Sequence, residues 1–445
     1  MDQTFDLVDE SDTSALGRAL GQVLGAGSVL LLSGPIGSGK SHLARALIRS
    51  RLGEATEVPS PTFTLVQTYP GDPEIWHADL YRLTHPDEVL ELGLEDAFSQ
   101  AICLVEWPDR LGKAVPLGAH HLTFTAQGEG RRLTVSPPVP GLMQAFRAEQ
   151  TLDFLSAQGL SDVPLTPLPG DASARRYARV KGMLLMDAPK DQPDRTEDFS
   201  RIANHLRDLG LSAPKVSAED HPRGFLLVED LGDPLYPKVI AQSPDLQPML
   251  YEAATDVLRH LQSHPAPDGL PNLTAAQWAE AAGLALDHYA PASPQTRADL
   301  IGLLTEALAR ADGPRVLILR DFHAENLLWL KRPGLARVGL LDFQLAQMGQ
   351  PGYDLVSLTQ DARRDVPPEL EAHLVARFDP SPDFATAHAV LGAQRALRIL
   401  GIFARLATQG KPRYLDLIPR VRGYLDRNLA HPALADLKSF CDKTL

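Results

Sequence analysis

The amino-acid sequence predicts an α/β protein of two or three domains, and three observations lead to this prediction. The chain has 445 residues, more than one hydrophobic core usually supports. Residues 30–48 are typical of a buried strand, a glycine-rich loop and a helix. Residues 316–343 are typical of short apolar strands separated by a polar loop. Each pattern belongs to a different kind of α/β domain.

The composition limits the classes of protein to consider. Hydrophobic residues make up 44% of the chain and charged residues 22%, which excludes global disorder. The net charge of −13 argues against broad binding to DNA or other nucleic acids. The two cysteines, Cys103 and Cys441, fit a reducing compartment and no disulfide framework. With no long apolar run and an acidic N-terminus, we expect a cytoplasmic protein without a membrane partner.

The first motif is the segment 34–41, which matches G-x-x-x-x-G-K-[ST] at every fixed position. Its backbone N–H groups would face an anion at Gly34, Gly37, Ser38 and Gly39. We expect Lys40 to bind the β- and γ-phosphates of ATP and to be catalytic, and Ser41 to ligate Mg²⁺. The segment therefore predicts a P-loop NTPase domain.

Three polar residues downstream are candidates for completing this nucleotide site. Thr62 follows two prolines in an extended loop, where a hydroxyl could sense Mg²⁺ or the γ-phosphate; an ordinary turn threonine is an equal alternative. Asp79 and Glu106 each end a strand-like run, which suits carboxylates of the Mg²⁺ shell. Glu106 could instead orient the attacking water, and either acid could simply cap the next element.

Five segments in this order resemble the TsaE family. They are the loop at 34–41, SPTF at 60–63, HADLYRL at 77–83, ELGL at 91–94 and VEWPDR at 105–110. The resemblance covers residues 1–136 and implies an ATPase that resets a complex with TsaB and TsaD, the machinery that makes threonylcarbamoyladenosine in tRNA. It also implies that Lys40 and Ser41 bind phosphate and Mg²⁺, that Thr62 belongs to a switch-like loop, and that Asp79 and Glu106 are essential.

A proline-rich stretch marks the expected boundary of this first domain. Residues 136–141 show neither helical nor strand periodicity, and helix-like periodicity resumes just after them. We therefore predict a P-loop domain at 1–136, a linker at 137–142 and a second domain at 143–445. Within the second domain, we expect a small lobe at 143–232 and a large lobe at 233–445.

The second motif places Asp321, Asn326 and Asp342 in the order of a protein kinase's catalytic base and its two metal ligands. We expect Asp321 to accept the proton of the acceptor hydroxyl while Asn326 and Asp342 hold Mg²⁺; a structural loop carboxylate is the alternative for Asp321. The segment LLVEDLG at 226–232, with Glu229, is typical of the hinge between kinase lobes that contacts ATP. The second domain is thus predicted to be a bilobal, protein-kinase-like α+β domain.

This half resembles the aminoglycoside phosphotransferase family of small-molecule kinases, and within it the AmgK group of amino-sugar kinases. The resemblance covers about residues 145–445. The matching segments are GDAS at 170–173, RRY at 175–177, MDAP at 186–189, RDFHAENL at 320–327, LDFQ at 341–344, GYDL at 352–355, QDARRD at 360–365, residues 395–406 and GKPRY at 410–414. The resemblance implies ATP-dependent phosphorylation of N-acetylmuramate or N-acetylglucosamine at the anomeric hydroxyl, in peptidoglycan recycling.

Two further nucleotide contacts are expected in the small lobe. Ser173 lies in the GDAS segment, and Arg176 is a candidate phosphate ligand, with Lys181 and Lys190 as alternatives. Two positions depart from the broader kinase pattern: Leu319 replaces a histidine that braces the loop in many relatives, and Gln344 replaces a glycine.

The remaining polar residues of the second half have more than one interpretation. We expect Asp354 to brace the catalytic loop and assign no catalytic role to His323. Asp361, Arg363 and Arg364 are plausible sugar contacts, because arginine pairs bidentately with carboxylates; a salt-bridged helix face explains them equally well.

Two alternatives to this bifunctional enzyme stay open. The second half could phosphorylate another small alcohol, such as an aminoglycoside, choline or homoserine. Either half could also be a non-catalytic nucleotide-binding scaffold, although the intact candidate residues argue against it.

Overall fold

The structure is a computed structural model that describes residues 2–83, 86–169, 175–189 and 195–445. The chain divides into two compact units, Met1–Leu165 and Thr166–Leu445. Among the described residues, no helix has the length and apolar character needed to cross a membrane.

The first unit is an α/β structure with one mixed sheet. Its elements are β1 (Gln3–Leu7), α1 (Glu10–Val23), β2 (Val29–Ser33), α2 (Lys40–Leu52), β3 (Val66–Tyr69), β4 (Ile75–Asp79), α3 (Leu94–Gln100), β5 (Ile102–Glu106), β6 (His120–Gln127), β7 (Gly130–Ser136) and α4 (Leu142–Ala157). Short 3-10 segments run over Pro86–Leu92 and Pro108–Ala114.

The sheet of the first unit has the strand order β1-β7-β6-β2-β5-β4-β3. Its central strands β4, β5, β2 and β6 are parallel, and β2 and β5 are buried almost throughout, as expected for strands covered on both faces. Carboxyl ends of parallel strands meet at one sheet edge, and Asp79 and Glu106 are direct partners in the β4–β5 register. The end of β2 at the same edge leads into the glycine-rich loop.

Helix α4 belongs to the first unit. It packs on α1, where Arg18 donates from Nε to Glu149 at 2.5 Å and from Nη2 to Asp153 at 2.6 Å. Phe146 meets Phe5 edge-on with ring centroids 5.4 Å apart. The predicted linker at 137–142 and the predicted domain start at 143 stay predictions, whereas the division between the compact units falls later, after Leu165. A helical pattern predicts a buried face without specifying the core that covers it.

The second unit begins with a small sheet and continues as a mainly helical region. Its elements are β8 (Thr166–Pro167), β9 (Arg176–Val180), β10 (Met183–Asp187), α5 (Thr196–Asp208), β11 (Val216–Asp220), β12 (Phe225–Glu229), α6 (Tyr236–Gln242), α7 (Gln247–Gln262), α8 (Ala275–Ala282), α9 (Pro294–Arg310), β13 (Val316–Ile318), β14 (Leu327–Trp329), β15 (Val338–Leu340), β16 (Gln347–Gly349), α10 (Tyr353–Thr359), α11 (Pro368–Phe378), α12 (Pro382–Thr408), α13 (Ile418–Leu429) and α14 (Ala435–Thr444).

Two antiparallel pairs in the helical region position its polar loops. The first sheet of this unit has the order β11-β12-β10-β9-β8, while β13 pairs with β16 and β14 with β15. The loop between β13 and β14 contains residues 319–326, and the segment after β15 contains Asp342. The β14–β15 pairing thus brings the two ends of the predicted kinase motif together. A small sheet followed by a helical lobe is the predicted α+β architecture.

Two candidate nucleotide-binding sites

The glycine-rich loop of the first unit is shaped to surround an anion. Gly34, Gly37 and Gly39 adopt φ angles of 145°, 76° and 108°, a region that favours glycine. A Cβ on Gly34 would lie 2.9 Å from both Phe124 Cβ and Ser38 Oγ, so that position has no room for a side chain. No side chain caps the N-terminus of α2, which leaves its first N–H groups for a ligand. Among the described residues, the buried Ser38 Oγ has no hydrogen-bond partner.

Lys40 lies buried inside this loop. Its Nζ donates to the carbonyl oxygens of Gly34 and Pro35, each at 2.9 Å, and lies 4.3 Å from the centroid of the Trp107 ring. Burial lowers the pKa of Lys40, although the nearby charges of Glu106 and Asp79 act in the opposite direction. Among the described residues, the hydrogen-bond acceptors of Lys40 are two neutral carbonyls, which an anionic ligand could replace.

Two hydroxyl–carboxylate pairs lie beside the loop. Ser41 Oγ donates to Glu106 Oε2 at 3.0 Å, and Thr62 Oγ1 donates to Asp79 Oδ2 at 2.7 Å. Both carboxylates are buried, although Asp79 also accepts the main-chain N–H of Tyr81 at 3.0 Å and so caps the following turn. The cavity is lined by Ile36, Gly37, Lys40, Ser41, Ser60, Thr62, Asp79, Tyr81, Glu106 and Trp107. The predicted residues of this site thus lie together.

Sequence reasoning missed His77 as a member of this site. Its Nε2 lies 3.0 Å from Glu106 Oε1, and both side chains are almost completely buried. The carboxylate can only accept here, so Nε2 donates. The alternation of β4 could have identified it, because His77 and Asp79 lie two residues apart and share a sheet face.

The predicted kinase residues of the second unit also lie together. Asn326 Nδ2 donates to the carbonyl oxygen of Asp321 at 2.9 Å, and the N–H of Leu341 donates to the Asn326 carbonyl at 3.0 Å. Asp342 is the next residue after Leu341 and has a φ of 56°. These bonds connect the catalytic loop to the strand end that bears Asp342. Asp321, Asn326 and Asp342 therefore lie on segments that these hydrogen bonds join.

Asp342 is held by two side chains. Its Oδ1 accepts from Arg175 Nη2 at 2.7 Å and from Gln344 Nε2 at 2.9 Å. Burial raises the pKa of Asp342, but the Gln344 hydrogen bond and the Arg175 charge outweigh burial, and the pKa is lowered. The group is thus a carboxylate at neutral pH, which suits a cation site. Gln344, at the position where many kinases have glycine, contributes to this.

Asp354 braces the catalytic loop, as expected. Its carboxylate is fully buried and accepts the main-chain N–H groups of Leu319 and Arg320, at 2.6 and 2.8 Å. Arg320 has a φ of 71°, so these two bonds hold a turn that its backbone disfavours. Burial raises the pKa of Asp354 to about 7. Asp354 thus braces the loop although position 319 is leucine, where many relatives have a histidine.

The cleft next to Asp342 is the candidate nucleotide pocket of the second unit. Its lining includes Tyr177, Val228, Glu229, Asp230, Leu231, Gly232, Asn326, Leu341 and Asp342. The carboxylate of Glu229 is engaged by Arg332 at 2.6 Å and by Arg207 at 3.4 Å. The main-chain N–H of Glu229 also donates, to the Lys215 carbonyl at 2.8 Å, so both its side chain and its N–H are already engaged.

The basic candidates of the small lobe have different positions. Arg176 is exposed on β9 and does not line the cleft, and Lys181 is exposed at the β9–β10 turn. Ser173 and Lys190 lie outside the described residues. Arg175, which the sequence analysis did not select, lines the cleft and contacts Asp342. Arg175 and Arg176 are adjacent residues of the same type, and the directions of their side chains distinguish them. The sequence does not give those directions.

Comparison with known families divides the chain in the same two parts. The family model described as threonylcarbamoyl adenosine biosynthesis protein TsaE matches residues 7–134. The model described as phosphotransferase enzyme family matches residues 164–390, which is about half of the chain.

Individual relatives cover each part. A Caulobacter vibrioides protein named N-acetylmuramate/N-acetylglucosamine kinase is 40% identical over 344 residues, covering 65% of this chain and 94% of that protein. A Pseudomonas aeruginosa protein of the same name is 35% identical over 318 residues, covering 64% and 90%. A Rickettsia conorii protein named tRNA threonylcarbamoyladenosine biosynthesis protein TsaE is 41% identical over 175 residues, covering 39% of this chain and 98% of that protein.

Proposed function

This chain belongs to the TsaE family in its N-terminal part and to the phosphotransferase enzyme family in its C-terminal part, and we propose that it joins the ATPase of tRNA threonylcarbamoyladenosine synthesis to an amino-sugar kinase. Both activities would use ATP with Mg²⁺. The single observation that best supports two activities is that each unit has its own cluster of phosphate- and cation-binding side chains. A scaffold that binds no nucleotide would not require either cluster, and the activity assays below distinguish catalysis from nucleotide binding alone.

In the N-terminal unit, we propose that Lys40 exchanges the carbonyls of Gly34 and Pro35 for the β- and γ-phosphates of ATP. A charge-assisted contact is stronger than the two neutral ones it replaces, and Ser38 Oγ would gain a partner. Glu106 would orient the water that attacks the γ-phosphorus, with ADP as leaving group.

The donor set of this unit fits Mg²⁺, since it consists of hydroxyls and carboxylates. Ser41, Asp79 and Glu106 would hold the ion, with Thr62 beside them as the switch-loop hydroxyl. Within the described residues, no group of three or more acidic, histidine or cysteine side chains could hold a metal by itself. We expect phosphate oxygens of ATP to complete the coordination, because Mg²⁺ in such sites is usually held by one or two carboxylates together with substrate phosphates. The ion would neutralise charge on those phosphates.

Replacement of Lys40 tests the ATPase proposal. Lys40→Ala should lower ATP hydrolysis in the absence of sugar by about 100-fold or more, because the only buried ammonium of the phosphate loop is lost. Phosphate release by the full chain measures this. Arg45→Ala is a matched control, since Arg45 also lies on α2 but donates to the Val58 carbonyl. Hydrolysis that persists in Lys40→Ala would contradict the role of Lys40.

In the C-terminal unit, we propose that Asp321 accepts the proton of an acceptor hydroxyl as the hydroxyl oxygen attacks the γ-phosphorus of ATP and ADP leaves. Asn326 and Asp342 would hold Mg²⁺, which screens the charge of the transferring phosphate. Arg175 donates a hydrogen bond to Asp342 and lines the cleft. We propose that it contacts phosphate oxygens of the bound nucleotide. Arg176 and Ser173 stay predictions as nucleotide contacts.

The proposed acceptors are N-acetylmuramate and N-acetylglucosamine, phosphorylated at the anomeric hydroxyl. The support is the name of the relatives that match this part at 40% and 35% identity over most of their length. The experiment is to incubate the full chain with ATP and each sugar and to read the anomeric phosphate by phosphorus NMR. Asp321→Asn should lower this signal by about 100-fold or more. Transfer only to choline, homoserine or an aminoglycoside would withdraw the acceptor assignment.

We further propose that the N-terminal unit acts with TsaB- and TsaD-like proteins and reaches tRNA through them. The support is membership of the TsaE family, together with a net charge that disfavours direct tRNA binding. Addition of purified TsaB and TsaD should stimulate ATP hydrolysis by the wild-type chain and not by Lys40→Ala. Hydrolysis that is unchanged by both proteins would contradict this partnership.

A further inference from the structure

The segment after α10 lies beside the catalytic loop of the kinase unit. Asp361 accepts the main-chain N–H of Arg363 at 2.9 Å, and its own carbonyl accepts the hydroxyl of Tyr424 at 3.1 Å. These bonds hold residues 361–363 as a tight turn against α13. Arg363 leaves this turn in the direction of the catalytic loop.

Arg363 contacts two residues of the loop that holds Asp321. Its Nε donates to Glu325 Oε2 at 3.0 Å, and its Nη1 lies 3.5 Å from His323 Nε2. The Arg363 side chain keeps 38% of its surface exposed. The guanidinium therefore lies against the loop that bears Asp321 and can still reach a ligand, since most of its N–H donors are on the two Nη atoms.

Asp361 and His323, which both contact Arg363, each have a buried polar atom without a partner in the described part of the chain. Among the described residues, neither Asp361 Oδ2 nor His323 Nδ1 has a hydrogen-bond partner, although Asp361 is 1% exposed and His323 is 7% exposed. Buried polar groups normally have partners. The loop that bears Asp321 thus lies beside unsatisfied polar atoms and one partly exposed cation.

The neighbouring Arg364 has a different environment. Its positive charge acts on the buried Tyr251 of α7, and its carbonyl accepts from Tyr424 at 3.2 Å. Arg363 and Arg364 therefore separate, and only Arg363 contacts the catalytic loop. The sequence treats the two as an equivalent pair.

We propose that Arg363 binds a carboxylate of the acceptor and makes this kinase prefer N-acetylmuramate, which carries a carboxylate, to N-acetylglucosamine, which carries none. This inference rests on the proposed amino-sugar kinase function. In the absence of acceptor, Glu325 pairs with the Arg363 guanidinium through Nε. The acceptor carboxylate would bind to the Nη atoms of the same guanidinium, so the two carboxylates compete for Arg363. A bidentate charge-assisted pair at a partly exposed site corresponds to about 10- to 100-fold in kcat/KM.

The test is the ratio of kcat/KM for N-acetylmuramate to that for N-acetylglucosamine, measured on the full chain from the sugar phosphate formed. Arg363→Gln should lower this ratio about 10- to 100-fold. Arg364→Gln removes the same charge one residue away and should change the ratio less than about twofold. Glu325→Gln should raise the ratio, because it removes the competing negative charge. Added salt should reduce the ratio of the wild type and not that of Arg363→Gln.

The outcomes separate this inference from the function on which it rests. An equal loss for both sugars in Arg363→Gln would show that Arg363 acts by holding the catalytic loop, and would overturn the inference while the kinase function stands. A ratio that is the same in wild type and Arg363→Gln would also overturn it. A wild-type chain that phosphorylates neither sugar would instead refute the proposed acceptors, and this inference with them.

Discussion

At the scale of single residues, Glu106 connects the chemistry of the N-terminal site to the interior of its sheet. One carboxylate oxygen accepts from Ser41 and the other from His77, both at 3.0 Å. A carboxylate with both oxygens engaged is fixed in rotation, and a catalytic or metal-binding group gains from such fixing. His77 is buried behind Glu106 and contacts its carboxylate, so we propose that it acts on the reaction through Glu106 as a positioning residue.

Replacement of His77 should lower the rate of ATP hydrolysis more than it weakens the binding of ATP. In His77→Leu, Glu106 loses its buried donor, and we expect kcat for hydrolysis to fall about 10- to 100-fold with a smaller change in KM. The Mg²⁺ concentration for half-maximal activity should rise, because the carboxylate is no longer held toward Ser41. His77→Gln keeps an N–H donor and should restore much of the activity.

A purely structural role of His77 would give a different result. His77→Leu would then lower the temperature of unfolding while kcat and the Mg²⁺ dependence of the remaining folded enzyme stay at wild-type values. His120→Gln is the matched control, because His120 lies on β6 of the same sheet and its ring contacts the Pro137 carbonyl at 2.8 Å. We expect no change in hydrolysis for that variant.

At the scale of secondary-structure elements, α4 lies beyond the residues matched by the TsaE family model and yet completes the first unit. Leu142 and Phe146 join the hydrophobic core of that unit, and Gln150 Nε2 donates to the buried Asp12 at 2.8 Å. Arg18 connects α1 to Glu149 and Asp153. The helix therefore stabilises α1, which packs directly on the P-loop helix α2.

Loss of Arg18 should destabilise the first unit alone. Arg18→Ala leaves the mostly buried Glu149 without its cation, which costs about 2 kcal/mol for a pair whose arginine is one-quarter exposed. For a unit of this size, ATPase activity should be lost at a temperature about 4–8 °C lower. The temperature at which sugar phosphorylation is lost should stay constant.

The control for this prediction is Arg132→Ala in the same unit. Arg132 pairs with Asp6 at the surface, where both side chains are largely exposed, so no measurable shift is expected. A shift of both activities in Arg18→Ala, or of neither, would contradict the assignment of α4 to the first unit.

At the scale of the whole molecule, the chain holds two candidate nucleotide sites whose residues come from one unit each. The first uses residues between Gly34 and Trp107, and the second uses residues between Leu168 and Asp342. Since no candidate residue is shared, the two activities should be separable by single substitutions.

This separation is tested with both variants in both assays. Lys40→Ala should lose sugar-independent ATP hydrolysis and keep phosphorylation of the amino sugar within about twofold, and Asp321→Asn should do the reverse. The physical reason is that each substitution removes a charge needed only in its own cluster. Loss of both activities in Lys40→Ala would contradict independent sites.

The sequence by itself determined the parts of both sites that depend on local order along the chain. The phosphate loop was predictable because its sequence contains, in order, a strand, three glycines, Lys40 and a helix. Glycines at these positions allow the backbone to turn its N–H groups toward an anion. Asp79 and Glu106 were predictable as partners, since parallel strands end at one edge. The order of Asp321, Asn326 and Asp342 likewise predicted the kinase-like unit.

Only the tertiary structure decided which side chains meet across distant segments. It placed α4 on the first unit, His77 behind Glu106, Arg175 instead of Arg176 on Asp342, and Arg363 instead of Arg364 on the catalytic loop. Periodicity predicts that a residue has a buried or exposed face, but neighbouring arginines differ only in direction. The direction of a side chain depends on packing between elements that are far apart in sequence. Local sequence patterns therefore do not predict it.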